Sequence, residues 1–122
     1  MNIKVADEVW IATALLHREH PEKESFRQSE IVDRVAKENI FGRMRPGIMV
    51  HVAIHCVANK KPNPGIYRML YALETGERRL FRESDDFHPW RNGGKMIPNY
   101  GDIPEEFEHL IEWWKNEYNK MN

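Results

Sequence analysis

Two histidines four residues apart, with a cysteine just behind the second, stand in the run RPGIMVHVAIHCVAN, residues 45–59. Three chemistries are open to His51, His55 and Cys56: metal ligation, nucleophilic attack by a thiol, and contact with a partner. On a helix, positions i and i+4 share a face, so the two histidines could hold one ion. Cys56 lies about a quarter-turn off that face. A third ligand would have to come from His17, His20 or His88, far away in the chain. The HExxH arrangement of zinc proteases needs a glutamate after its first histidine, and Val52 stands there instead. No CxxC pair occurs. The expectation is no metal and no cofactor, with Cys56 a small buried hydrophobe.

Catalysis finds no better support. Neighbouring helix residues point in different directions, so His55 cannot serve as the base for Cys56. Asp85 and Asp86 read as a solvated loop pair, and Gly93, Gly94 and Lys95 do not complete a phosphate-binding loop. The expected site is therefore a binding surface, and the protein is not expected to be an enzyme.

Charge distribution points the same way. The net charge is −1, but residues 41–72 carry Arg43, Arg45, Lys60, Lys61 and Arg68 and no acid. Residues 102–122 carry six acids and two lysines. A nearly neutral chain with a basic middle can present one electropositive face, unless acids from elsewhere fold over and cancel it. The chain has 122 residues, of which 41% are hydrophobic. That suits one compact domain. No apolar run approaches the roughly 18 residues of a membrane span. The opening MNIKVADEVW lacks the basic start and apolar stretch of a signal peptide, and a single cysteine cannot form an internal disulfide. A cytoplasmic protein is expected.

The elements that position these residues follow from periodicity. Residues 4–19 place Val5, Val9, Ile11, Ala12, Leu15 and Leu16 on a broad apolar stripe, which predicts a helix ending near Pro21. Residues 26–40 predict a second helix, with Phe26 stapling its start and Asn39 and Gly42 ending it. Pro46 suits the first turn of a third helix, with Ile48, Met49, Val52, Ala53 and Cys56 inward and Val50, His51, Ile54 and His55 toward the other side. The runs IYRMLY and RRLFR flank ALETGE, where Gly76 can turn the chain, and predict a β-hairpin. Residues 84–101 read as a long polar loop, a kind that is often mobile or functional. Residues 102–120 predict a terminal helix capped by Asp102, with Pro104 in its first turn and a stripe of Phe107, Leu110, Ile111, Trp114 and Tyr118.

The order is three helices, a β-hairpin, a loop and one more helix. Through EIVDRV, the turn ENIFGRM, the third helix and YRMLYALETGERRLFR, the chain resembles the winged helix-turn-helix superfamily over about residues 5–83. The run RPGIMVHVAIHCVAN with YRMLY and RLFR also resembles a small uncharacterised prokaryotic family of that type. The resemblance implies a mainly helical α+β fold: a winged-helix core over residues 3–83, a loop over 84–101 and an extra C-terminal helix over 102–120, in one domain spanning 1–122. It also implies a small non-enzymatic DNA-binding protein, a regulator or accessory factor, with double-stranded DNA as partner. In such a domain the third helix enters the major groove and the hairpin touches the backbone. Carried onto this chain, Arg43, Arg45, His51 and His55 face the groove, and Lys60, Lys61, Arg78 and Arg79 meet phosphates.

One feature of the third helix departs from a reading helix. It offers Val50 and Ile54 beside the histidines, where base-reading helices offer Arg, Lys, Asn or Gln. The alternative is a protein-interaction module that keeps the winged-helix shape without binding DNA. Trp113, Trp114 and the acidic C-terminal helix would then form a homodimer seam.

Overall fold

The fold is organised around its first helix. The structure is a computed structural model that describes residues 2–121; Met1 and Asn122, the ends of the expected domain, lie outside the described residues. Helix α1, Val5–Glu19, is buried far beyond the single stripe expected of it, because α2, the third helix, strand β2 and α4 all pack around it. Val9, Trp10, Ile11 and Ala14 have no contact with water. The price of this central position is that Asp7 and Glu8, in its first turn, are buried as well. A helix N-terminus tolerates acids through its positive dipole end. The helix stops where Pro21 cannot continue it, with the His20 N–H donating to Leu16 O at 2.9 Å.

Helix α2, Gln28–Glu38, begins where the Glu30 carboxylate accepts the Arg27 N–H at 2.9 Å. It ends as expected at Asn39, which adopts the left-handed conformation with φ of 50°. Phe26 does more than staple this helix. Its backbone pairs with Arg78 through two hydrogen bonds of 2.9 and 2.8 Å, so the segment between α1 and α2 is tied to the hairpin.

The third helix has two parts, an α-helical turn Gly47–Val50 (α3) and a π-helical turn His51–His55. Strands β1 (Leu70–Ala72) and β2 (Arg78–Leu80) pair antiparallel with Leu70 opposite Leu80. Gly76, with φ of 91°, makes the turn as expected. The terminal helix is shorter than its sequence predicts: α4 covers Glu108–Asn116, with a 3₁₀ turn on either side at Glu105–Phe107 and Tyr118–Lys120. Asp102 is not its cap. The carboxylate turns instead toward Lys4 and Lys95, each 3.9 Å away, and Pro104 leads into the first turn.

The result is a mainly helical α+β fold, with four helices and a small two-stranded antiparallel sheet among the described residues. Helix α4 locks onto β2: Trp114 donates its indole N–H to Phe81 O at 2.9 Å, and the Tyr118 hydroxyl donates to Leu80 O at 2.7 Å. Trp114 is thus a core residue. It cannot form a dimer seam, because its surface is already covered. Among the described residues, no helix is long and apolar enough to cross a membrane.

Candidate nucleic-acid interface

The third helix faces inward through Ile48, Val52 and Cys56, all fully buried. Met49, expected inward, is 67% exposed, and Val50 is 37% exposed. The reason is register: Ile48, Val52 and Cys56 recur every four residues, which leaves Met49 off the buried line. The π turn widens the helix so that the Cys56 N–H reaches back to His51 O at 3.0 Å.

Three of the four arginines expected at the interface are not free. The Arg45 guanidinium grips the buried Glu8 carboxylate and lies 3.8 Å over the Phe41 ring. Arg79 forms a two-pronged pair with Asp85 at 2.7 and 2.9 Å and also donates to Leu80 O. Arg78 is buried without a carboxylate. It donates to Val52 O, Ala53 O and Gly76 O at 3.2, 3.3 and 2.7 Å. Burial lowers its affinity for the proton, but a guanidinium remains charged near neutrality. These three side chains act inside the fold. The cancelling acids come from α1, at Glu8, far before Arg45 in the chain, and from the loop, at Asp85, a short way after Arg79.

His51 and His55 do come together. Their ring centroids are 4.9 Å apart, edge to face, and Tyr67 lies 6.2 Å from His51. His51 Nδ1 is 2.7 Å from Gly47 O, so Nδ1–H donates and Nε2 is left as an acceptor. Burial pushes the His51 imidazolium below its ordinary range, reinforced by His55 and Arg45 and opposed by the bond to Gly47. A neutral ring of this kind can accept a hydrogen bond but does not neutralise a phosphate. Among the described residues, no group of three or more His, Cys, Asp or Glu side chains is placed to hold a metal ion. The Cys56 thiol is fully buried and is pushed well above its usual value by desolvation, so it is not a ready nucleophile.

Three of the expected cations remain on the surface. Arg43 is exposed beside Phe41, 5.3 Å from its ring, just before the third helix. Lys60 and Lys61 are exposed just after it. Among the described residues, none of the three has a carboxylate within salt-bridge distance. Lys61 sits 5.0 Å over Trp90, whose ring is 64% exposed.

The long loop supplies what sequence reasoning missed. Arg91 is completely buried. Its guanidinium donates to Ile54 O, His55 O, Lys60 O and Tyr67 O at 2.7 to 2.9 Å. The loop is therefore a clamp on the end of the third helix and on the segment that carries Lys60 and Lys61. Its one available signal was an arginine beside a Gly-Gly pair, where side-chain-free backbone can approach closely. Gly94 does so: a Cβ there would lie 1.8 Å from Ile66 O. Lys95, from the same loop, reaches the buried Asp7 at 3.7 Å. No protein-family model, curated protein or solved structure matches this chain.

Proposed function

We propose that this chain binds double-stranded DNA without catalysing a reaction, as a small winged-helix protein. One observation carries the reading. Arg43 and the pair Lys60–Lys61 bracket the third helix as unpaired surface cations, although the neighbouring arginines are consumed inside the fold. Cations without carboxylate partners are the groups that neutralise phosphates and release counterions. The neutral His51 lies between them with a free acceptor nitrogen, suited to an exocyclic amino group at a base edge. The hairpin would lie beside the helix, but Arg78 and Arg79 would not reach phosphate. Anisotropy of a labelled duplex tests this: R43A and K60A/K61A should each weaken binding and reduce its salt dependence.

A second reading is favoured by a different observation. Met44, Met49 and Val50 are all exposed at the start of the third helix. Exposed apolar side chains along one short segment suit contact with protein more than with a charged backbone. In this reading the face packs on a partner protein, and Trp113, not Trp114, is the half-buried aromatic left on the terminal helix. M49E should then abolish partner capture or self-association and leave the fold intact. Loss of DNA binding in K60A/K61A with no effect of M49E would separate the two.

A further inference from the structure

We propose that the cavity between the end of α1 and the end of α4 binds a small zwitterion carrying an aromatic ring, of the aromatic α-amino acid class. The cavity measures about 520 Å³, within the range of small-molecule sites. It shares no lining residue with the interface described above.

Three rings line it together. His17 and Tyr118 have centroids 4.8 Å apart, Trp113 and Tyr118 5.2 Å, and His17 and Trp113 6.4 Å. His17 and Tyr118 are nearly covered, so half-buried Trp113 is the ring left open to meet a planar apolar group by its face or edge. Two guanidinium groups stand over these rings, Arg82 at 4.1 Å from Tyr118 and Arg18 at 5.6 Å from Trp113. Arg82 uses Nε on Tyr118 O at 3.0 Å and keeps its terminal nitrogens available.

The charges at the rim decide the ligand class. Lys23 is already paired with Glu30, and Glu22 lies 3.7 Å from His20. Among the described residues, Arg18 and Arg82 have no carboxylate partner, and Glu24 and Glu117 have no cationic one. Charges of both signs that pair with no side chain, around an aromatic lining, fit a ligand with both charges. The carboxylate would go to the arginines and the ammonium to the glutamates.

His17 adds a directed donor. It is 94% buried in the sense that only 6% of its surface is exposed. Its Nε2 accepts the Leu80 N–H at 3.2 Å, which leaves the neutral ring's proton on Nδ1. Among the described residues, Nδ1–H has no partner, and the residue lines the cavity. A ligand carboxylate oxygen would satisfy it.

The test is an NMR titration of the full chain with L-phenylalanine, 3-phenylpropionate and 2-phenylethylamine. The Trp113 indole and His17 ring signals should shift saturably with L-phenylalanine, and each one-charge analogue should bind at least about tenfold more weakly. R18A and E117Q, both at exposed positions, should each weaken L-phenylalanine about three- to tenfold without changing the melting curve. The absence of saturable shifts up to about 10 mM would overturn the proposal, given the weakest affinities worth calling specific. Equal binding of all three compounds, or binding untouched by both variants, would overturn it too.

Discussion

Arg78 and Arg91 divide the last four carbonyls of the third helix between them. Arg78 takes those of Val52 and Ala53, and Arg91 takes those of Ile54 and His55. The end of a helix leaves its final carbonyls without intrahelical donors, and it is the negative end of the helix dipole. Two buried guanidinium groups answer both needs at once. One comes from the hairpin and one from the loop, so hairpin, loop and helix are fixed to one another at a single point.

Removing Arg91 should therefore act on stability. R91M removes a donor from four carbonyls, of which only Ile54 O keeps a backbone partner, the Val57 N–H at 3.0 Å, and a loss of about 3 kcal/mol is expected. R91K should recover only part, because an ammonium cannot span four acceptors as a planar guanidinium does. Urea unfolding of the three proteins measures this. A loss below about 0.5 kcal/mol for R91M, the level of an ordinary surface change, would contradict the clamp.

The same logic applies to Arg45 and Glu8. A buried pair is costly to break from one side, because the partner charge is stranded. R45A and E8Q should each destabilise by about 3 kcal/mol, and the double variant should lose much less than their sum. A double-mutant cycle with no coupling energy would show that the two groups act independently.

Glycines separate strain from contact. G94A forces a methyl group into Ile66 O, and a fold held closed by this loop should lose about 3 kcal/mol or more. G76A meets open space and carries only the cost of a positive φ, about 1 kcal/mol. Thermal melts of the two variants should differ in that order.

His17 gives the fold a pH dependence. Burial, with Arg82 and Arg79 nearby, pushes its imidazolium down to about 3, against an ordinary value of 6.5. The unfolded chain thus takes up this proton at a higher pH than the folded one. The contribution to stability is complete above pH 6.5 and is lost progressively as pH falls toward 3. Glu19 and Glu30, held below their usual range chiefly by hydrogen bonds to Arg34 and Arg27, add a loss that begins only near 4.5. In H17Q, whose amide oxygen can still accept the Leu80 N–H, the decline between pH 6.5 and 4.5 should flatten relative to the parent. Parallel pH profiles for the two proteins would contradict this assignment.

What the sequence made legible was local. Hydrophobic spacing and turn residues located all four helices and the hairpin, and Asn39 and Gly76 sit where their backbone chemistry required them. The inward path of Cys56 was also readable from its spacing. What stayed hidden depended on distant partners. Nothing in the basic stretch reveals that a glutamate in the first helix will hold Arg45. An arginine that binds only carbonyls, such as Arg91, has no sequence signature, because every residue carries a carbonyl. Periodicity likewise misjudged Met49, since its stripe is too broad and the buried line is only Ile48, Val52 and Cys56.

Duplex-DNA anisotropy across a salt series, with the parent chain and R43A/K60A/K61A, tests DNA binding through these cations. The parent should bind with micromolar affinity that weakens steeply with salt. The triple variant should bind at least about tenfold more weakly, with a salt slope lower by about two to three, as expected when three phosphate contacts are lost. Binding that is absent at low salt, or unchanged in affinity and slope in the triple variant, would contradict DNA binding through these cations.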